Sequence, residues 1–387
     1  MKLRKSPVTF LTGGTGFLGS HIGAELLLKG EETFFLIRGN RKVSAARLEK
    51  ILDWHGIDRA LRAKAHLIEG ELENPGLGMN PETLLRIDRI IHCASDTSFS
   101  ERNRKRVWTT NVESLKAIMD FAVESRCGSF IDLSTAYVAG RRGGLCPEEP
   151  IESEGFFNVY EESKAAAEHM LLERCQDEGL RLTILRPSIV YGDSYTGRTF
   201  RFNALYYPVK TTLFLRKIFE EDIRERGGEK ASEVGVAIEP DGTTRLPLRI
   251  EVCKNSGVNL IPIDFFVDAF FAVIENSSDG GIYHIVNPRQ TKIEDIIDYT
   301  KNQFKLKGIW ACGQEEFQRI PRNSLEQLFK RYLEAYSPYI KDTRIFLTEK
   351  TNPILERSGI VCPEFDESMF RRCMSYAVEN EWLSLSI

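Results

Sequence analysis

Two side chains near the middle of the chain have the types and spacing needed to move a proton to a carbonyl oxygen. Tyr160 and Lys164 lie four residues apart in a stretch of helical pattern, so both side chains lie on one face of the predicted helix. A lysine ammonium beside a phenol stabilises the phenolate, so we expect the pKa of Tyr160 to lie below its ordinary value of about 10. Tyr160 is thus a candidate proton donor to an oxygen whose carbon accepts hydride.

Spacing alone does not identify such a pair, because Tyr206 and Lys210 have the same separation, and we expect that second pair to be coincidental. The first pair has a third partner. Ser134 and Thr135 directly follow an apolar strand upstream of Tyr160. Because ligands bind at the C-terminal ends of parallel strands, a hydroxyl there could contact the same substrate oxygen. We expect Thr135 to do so, with Ser134 as the alternative.

A glycine-rich turn near the N-terminus predicts a dinucleotide-binding site. The short apolar strand over residues 8–11 leads through Gly13, Gly16 and Gly19 into a helix with an apolar side. The first glycine permits a tight turn, the second lets backbone amides approach a pyrophosphate, and the third lets the helix pack against the strand. The N-terminus of that helix presents unpaired N–H groups to the phosphates.

The end of the second predicted strand indicates which dinucleotide is preferred. Arg38 occupies the position where an acidic residue would bind the ribose hydroxyls of NAD. A guanidinium instead offers a bidentate match to the 2′-phosphate of NADP. The alternative is an ordinary basic loop.

Strands and helices alternate along the first part of the chain, which predicts a parallel, doubly wound sheet of the Rossmann type. The helical pattern is clearest over residues 111–125. After the first strand, the apolar runs that predict further strands cover residues 33–37, 65–68, 89–94, 130–133, 182–185 and 282–286.

The last predicted strand follows the others after nearly a hundred residues, so a second unit is interleaved with the sheet. We predict a NADP-binding domain over residues 1–195, with 259–290 returning to it. Residues 196–258 and 291–387 would form a smaller, mostly helical substrate-binding lobe. The polar stretch over residues 220–244 is predicted to be a surface excursion.

Composition excludes several classes of function. The chain has 387 residues and a formal charge of −4, which gives no electrostatic reason to expect a nucleic-acid partner. No apolar run is long enough to predict a membrane span, and the N-terminus leads directly into the first strand, so we expect neither a signal peptide nor a transmembrane segment. Eight scattered cysteines predict neither a metal site nor disulfides, and we expect a cytoplasmic protein.

Taken together, the motifs TGGTGFLG, Asn111, STAYV, YEESK and RPSIVYG resemble those of the extended short-chain dehydrogenase/reductases. Three features resemble the branch that holds fatty acyl-CoA reductases and the thioester reductase domains of carboxylic acid reductases and peptide synthetases. These are Arg38, the IEGELENPGLGM stretch over residues 68–79, and GVNLIPIDFFVDA over residues 257–269. Glu71 stands where the branch usually has aspartate, and both residues carry a carboxylate.

The resemblance implies NADPH-dependent reduction of an acyl thioester to an aldehyde or alcohol. The substrate would be a fatty acyl-CoA or an acyl chain on a carrier protein, and the protein could form a homodimer. Thr135, Tyr160 and Lys164 would be catalytic, with Asn111 supporting the lysine through a water. The residues that the resemblance assigns to NADP binding are Thr12, Gly13, Thr15, Gly16, Phe17, Leu18, Gly19, Arg38, Glu71, Leu72, Ala94, Lys164, Pro187, Ser188 and Ile189.

Two alternatives to this function remain open. The same catalytic set serves ketoreductases and nucleotide-sugar epimerases or dehydratases, although Arg38 argues against an enzyme that retains NAD. A dinucleotide-binding regulatory module would not need Tyr160 as a proton donor.

Three further features have competing interpretations. The cluster Arg102, Arg104, Lys105 and Arg106 could meet coenzyme A phosphates or an acyl carrier protein, but a solvated helix face is favoured. Cys93 is interpreted as a buried strand cysteine rather than as a nucleophile. A set of aromatic residues could line an acyl tunnel, touch a membrane surface or form the lobe core: Phe200, Phe202, Tyr206, Tyr207, Phe214 and Phe219.

Overall fold

The computed structural model describes residues 7–39, 41–79, 86–152 and 155–384. The ends of the two predicted domains, residues 1–6 and 385–387, lie outside the described residues. The strands are β1 (Val8–Thr12), β2 (Glu32–Ile37), β3 (Ala65–Glu69), β4 (Arg89–His92), β5 (Ser129–Leu133), β6 (Leu145–Cys146), β7 (Arg181–Pro187), β8 (Ile189–Tyr191), β9 (Ala237–Ile238), β10 (Thr244–Glu251), β11 (Gly257–Val258), β12 (Leu260–Pro262), β13 (Gly281–Ile285), β14 (Thr291–Lys292), β15 (Leu306–Cys312) and β16 (Ile345–Phe346).

The helices alternate with these strands in the first part of the chain and dominate the last part. They are α1 (Phe17–Leu28), α2 (Arg41–Trp54), α3 (Arg59–Arg62), α4 (Arg104–Trp108), α5 (Leu115–Glu124), α6 (Val159–Asp177), α7 (Tyr206–Glu225), α8 (Glu229–Glu233), α9 (Ile263–Asn276), α10 (Ile293–Phe304), α11 (Gln314–Arg319), α12 (Ser324–Leu333), α13 (Ser337–Ile340), α14 (Asn352–Arg357) and α15 (Glu367–Glu379).

A seven-stranded parallel sheet forms the centre of the molecule, with strand order β13-β7-β5-β4-β1-β2-β3. The chain builds outward from β1 to β3 and then crosses back to place β4 on the other side of β1. This reversal leaves a crevice at the C-terminal ends of β1 and β4, where doubly wound sheets bind ligands. The predicted Rossmann-type fold is confirmed.

Alternation along the strands divides the sheet between two apolar layers. Phe10 and Phe130 face one layer, which α5 and α6 cover. Leu11 and Ile131, their neighbours in sequence, face the opposite layer with residues of α1 and α9. Since every residue of β5 is buried, a polar side chain on this strand must find its partners inside the protein.

The smaller lobe has its own core between helices and a three-stranded sheet of order β15-β10-β9. The stretch 220–244 is not the surface excursion that its polarity predicted. Ala231, Val234 and Val236 are buried in the lobe core, because the short helix α8 turns its few apolar residues inward. Ile354 of α14, in the stretch predicted to belong to the lobe, packs in the core layer of α1 and α9. The division of the chain into two domains stays a prediction.

Candidate active site

The turn between β1 and α1 lies against β4 at a distance that favours glycine. Gly13 has a φ of +68°, and a Cβ there would lie 2.6 Å from the backbone of Cys93 and Ala94. A Cβ on Gly19 would lie 2.3 Å from the carbonyl oxygen of Gly13. Helix α1 begins after Gly16 without a side-chain cap, so its first N–H groups are available to an anion. The turn therefore fits a pyrophosphate.

Other residues assigned to cofactor binding lie around this turn. Thr15 lies in the turn, and Phe17 and Leu18 form the start of α1. Thr12 ends β1, where its hydroxyl lies 3.0 Å from Nδ1 of His92 and accepts a hydrogen bond from the backbone N–H of Ala94 at 3.3 Å. These contacts fix the end of β4 beside the turn.

Glu71 and Leu72 follow the edge strand β3. The backbone N–H of Glu71 donates to the carbonyl of Leu77 at 2.7 Å, which closes a turn, and Leu72 is buried in the layer of α5 and α6. Neither residue lines the cavity described below. Their role in cofactor binding stays a prediction.

Three guanidinium groups gather beyond the end of β2. Arg38 is exposed directly after the strand, Arg47 lies on α2, and Arg201 comes from the lobe. Burial lowers the pKa of Arg47, and the positive charges of Arg201 and Arg38 lower it further. Nε of Arg47 is buried without a hydrogen-bond partner among the described residues. The sequence predicted Arg38 alone, because the other two arrive from separate elements.

The predicted hydroxyls lie together at the end of β5. The Thr135 hydroxyl donates to the carbonyl of Pro187 at 3.5 Å and accepts from the backbone N–H of Tyr137 at 3.3 Å. It also lies near enough to the phenol of Tyr160 to affect its pKa. Oγ of Ser134 is buried and has no partner among the described residues. The contact between Thr135 and the phenol agrees with the choice of Thr135 over Ser134, although the catalytic roles stay predictions.

Lys164 is buried one turn after Tyr160, and its Nζ lies 3.6 Å from Oδ2 of Asp132 on β5. The expected lowering of the Tyr160 pKa is wrong. Burial raises the pKa of Tyr160 well above its ordinary value, and the negative charge of Asp132 raises it further, whereas the nearby hydroxyl of Thr135 lowers it. The sequence pattern gave no reason to pair the lysine with a strand residue.

Asn111 lies in a π turn, Thr109–Glu113, that interrupts the helix predicted from residue 111. Its amide group donates to Oγ of Ser163 at 2.9 Å and to the carbonyl of Asp96 at 3.0 Å. Its Oδ1 accepts from the N–H of Asp96 and from the hydroxyl of Ser95. The side chain therefore uses its full hydrogen-bonding capacity within the protein. A water that linked Asn111 to Lys164, as predicted, would have to bind the backbone of Asn111 rather than its side chain.

A cavity of about 450 Å³ joins these groups to the interior of the lobe. Its polar end holds the glycine turn, Ser134, Thr135 and Tyr160, together with Pro187, Ser188 and Ile189 from the predicted cofactor set. Three stripes at helical spacing, which sequence analysis missed, form much of its apolar walls. They are Leu205, Pro208, Val209 and Thr212; Ile293, Ile296, Ile297 and Thr300; and Phe329, Leu333, Tyr336 and Ile340.

These stripes follow helical spacing, which is the signal that could have located them. None of the six aromatic residues proposed as a tunnel lining borders the cavity. Most pack in the lobe core, and Phe214 is exposed. The hydroxyl of Tyr206 accepts a hydrogen bond from the N–H of Gly192, while Lys210 reaches the carbonyl of Trp382, so these two residues serve separate structural contacts.

The basic cluster before the π turn is partly neutralised within the protein. Arg104 pairs with Glu101 at 2.7 Å and with Glu162 at 2.8 Å, and Arg106 pairs with Asp96 at 2.5 Å. These contacts favour the interpretation as a solvated helix face. Arg102 and Lys105 belong to the same stretch.

Cys93 borders the cavity, but its environment does not activate it. Burial raises the pKa of its thiol well above the usual range, and the charge of Asp132 raises it further. A thiolate nucleophile would need the opposite shift.

Comparison with known proteins shows which family this chain belongs to. The model of the family described as Male sterility protein, an NAD-binding family, matches residues 11–270. The chain belongs to this family. It is thus an extended short-chain dehydrogenase/reductase of the fatty acyl-CoA reductase and thioester reductase branch, and the matched residues run from the first strand through most of α9.

Individual members of the branch are similar over different lengths. One of the subunits of linear gramicidin synthase from Brevibacillus parabrevis is 23% identical over 95% of this chain and 7% of its own length. Fatty acyl-CoA reductase wat of Drosophila melanogaster is 28% identical over 50% of this chain and 45% of its own length. The chain thus spans less than half of either relative.

Among solved structures, the terminal R domain from the myxalamid PKS-NRPS biosynthetic pathway superposes with a TM-score of 0.75 at 22% identity. The match covers 98% of this chain and 93% of that domain, so the two share one fold over nearly the full length of each. No helix in the described part of the chain is long and apolar enough to cross a membrane.

Proposed function

We propose that this protein reduces an acyl thioester with NADPH, and that Tyr160 donates the proton. The observation that carries the proposal is the cavity of about 450 Å³, whose polar end meets the glycine turn and whose walls are apolar helix faces. Cavities of this size hold small ligands with a few oriented polar groups at one end. An acyl chain with its carbonyl beside Thr135 and Tyr160 matches that division.

NADPH would be held by the turn around Gly13 and Gly16, and it supplies the hydride when bound. Arg38, Arg47 and Arg201 would bind its 2′-phosphate, which supports NADP over NAD. The chemistry of this donor set fits the cofactor, because Arg47 carries a buried N–H group that lacks a partner among the described residues.

The hydroxyls of Thr135 and Tyr160 would donate hydrogen bonds to the thioester oxygen and stabilise the charge that develops there. Tyr160 would then transfer its proton to this oxygen. Loss of the thiol would leave an aldehyde, and none of these steps requires a protein nucleophile. The apolar walls would keep water away from the reacting carbonyl.

The names of the relatives support this substrate class, since one is a fatty acyl-CoA reductase and another belongs to a gramicidin synthase. They do not distinguish coenzyme A from an acyl carrier protein as the carrier. The homodimer, the cytoplasmic location and a further reduction to the alcohol stay predictions.

The deciding experiment follows NADPH oxidation and thiol release together on a panel of acyl-CoAs, ketones, aldehydes and sugar nucleotides, with NADH in parallel. We expect thiol release on acyl-CoAs. Tyr160→Phe should lower turnover by roughly a hundredfold or more while NADPH still binds. Activity on ketones or sugar nucleotides without thiol release would replace this proposal by the alternatives named above.

Chain length tests the assignment of the apolar walls. Phe329 and Leu333 lie four residues apart on α12, or roughly 6 Å. The ring of Tyr336, just after this helix, lies 5.8 Å from the ring of Phe99, which lies 6.0 Å from the ring of Tyr160. Each methylene that enters this space should raise kcat/KM by about fourfold. Leu333→Trp should narrow the cavity and abolish that gain for long chains only.

The matched control is Leu328→Trp on the same helix, since Leu328 is 38% exposed and does not line the cavity. Equal effects of the two variants on long chains would contradict the assignment.

A further inference from the structure

Asp132 is an acidic residue whose side chain points into a largely apolar layer. It lies two residues after Phe130 on β5, so both side chains point toward the layer that α5 and α6 cover. Its side chain is completely buried. A carboxylate in such a place is costly unless other groups compensate its charge and its hydrogen-bonding capacity.

The protein compensates only the charge. Lys164 lies 3.6 Å from Oδ2, and neither carboxylate oxygen has a hydrogen-bond partner among the described residues. The in-register neighbours of Asp132 in the sheet are His92 on β4 and Ile184 on β7. Nδ1 of His92 contacts the hydroxyl of Thr12 instead, and isoleucine has no polar side-chain atom. A purely structural role does not explain a buried carboxylate that has a counter-charge but no hydrogen bonds.

Lys164 connects Asp132 to the catalytic centre. It follows Tyr160 by one helical turn, so the phenol and the carboxylate share the field of one ammonium. An ammonium alone would favour the phenolate, which accepts a proton from an alcohol, whereas a carboxylate beside the ammonium cancels that effect. Reduction needs the opposite form, the protonated phenol.

We propose that Asp132 is a positioning residue that holds Lys164 and balances its charge, so that Tyr160 keeps its proton and the site is biased toward proton donation. The proposal rests on the proposed reductase function and adds a residue that keeps the proton donor protonated. It distinguishes this site from one built to withdraw a proton from an alcohol.

The surroundings agree with this assignment. Burial is the largest cause of the raised pKa of Tyr160, and the charge of Asp132 acts in the same direction. Burial also raises the pKa of Asp132 itself, whereas the positive charge of Lys164 lowers it. Burial lowers the pKa of His92 to about 3, so this neighbour stays neutral. The titratable groups that face Asp132 and Lys164 are Tyr160, Glu168 and Cys175 on α6, and His92 and Cys93 on β4 or at its end.

Asp132→Asn tests the proposal, because it removes the charge and keeps the shape. Because burial keeps the phenol of the wild type protonated well above its ordinary pKa, its thioester reduction should stay level across the alkaline range in which the protein is folded. In the variant the uncompensated ammonium should bring a decline into that range. The position of the decline, rather than the height of the plateau, is the measurement, since structural damage would lower the whole profile.

The control is Asp222→Asn in the lobe, which removes another buried carboxylate far along the chain from Tyr160. Its pH profile should match that of the wild type. Matching alkaline profiles of Asp132→Asn and wild type, with no earlier decline in the variant, would overturn the proposal.

A second measurement does not depend on turnover. Absorbance titration of tyrosinate, taken as the difference between each protein and its Tyr160→Phe counterpart, reports the ionisation of Tyr160 directly. We expect Tyr160 to ionise at lower pH in Asp132→Asn than in wild type. If no thioester is reduced, this titration still tests the role of Asp132, and an unchanged titration would refute it.

Discussion

Helix α6 carries two buried charged residues one turn apart, Lys164 and Glu168. Their partners on the strands below bind them to different degrees. Glu168 forms a two-point pair with Arg186 of β7 at 3.0 and 2.5 Å, and the same guanidinium donates to the carbonyl of Glu149 at 3.0 Å. Lys164 has a single contact at 3.6 Å with Asp132, whose oxygens lack hydrogen bonds within the described chain.

The difference separates charges that hold the fold from charges that belong to the site. Arg186 is completely buried and its pairing is short and bidentate, as expected of a structural pair. In the lobe, Arg249 and Glu326 repeat this arrangement at 2.7 Å. Asp132 and Arg47 retain unsatisfied polar atoms, and both lie beside the crevice where we place the cofactor and the substrate.

The largest expected effect comes from breaking the satisfied pair. Glu168→Gln would leave the Arg186 guanidinium buried without its counter-charge, so the free energy of unfolding should fall by about 3–5 kcal/mol. Urea denaturation measures this loss. Glu178→Gln on the same helix removes an exposed pair with Arg174 at 3.7 Å and should cost about 0.5 kcal/mol or less.

Asp132→Asn provides the internal contrast. It also leaves a buried cation without its counter-charge, but this pair, at 3.6 Å, has no short hydrogen bonds to lose. Its unfolding free energy should fall by clearly less than that of Glu168→Gln. Equal losses in the two variants would mean that both pairs are structural, and the comparison would fail.

The second prediction concerns the unsatisfied guanidinium of Arg47. If this group binds the 2′-phosphate, Arg47→Ala removes a charged hydrogen bond, which is equivalent to a roughly tenfold to hundredfold rise in the KM for NADPH. The KM for NADH should not change.

Arg62→Ala is the matched control, since Arg62 already pairs with Glu49 and Asp53 at 2.8 and 2.6 Å. If Arg47→Ala raised the KM for NADPH and the KM for NADH by similar factors, Arg47 would have a structural role and would not recognise the 2′-phosphate.

The fold was predictable because its signals are local. The glycine turn, the apolar runs and the helical stretches each depend on neighbouring residues, and the strands of the central sheet follow the predicted ones within two residues. The lobe strands β10 and β15 were not predicted. β4, for example, ends at His92 rather than at residue 94 because the chain turns there beside Gly13. Tyr160, Lys164 and Thr135 were found for the same reason, since a four-residue spacing and a strand end are visible in sequence.

The environment of those residues was not predictable. The sequence by itself determined the parallel sheet, the dinucleotide turn and the candidate proton donor, because short-range sterics and hydrophobic periodicity specify them. Only tertiary structure decided that Asp132 meets Lys164, that Arg47 and Arg201 join Arg38, and that helix stripes rather than the aromatic residues wall the cavity. Burial and charge act between residues far apart in sequence, so the pKa of Tyr160 depends on packing that no local pattern records.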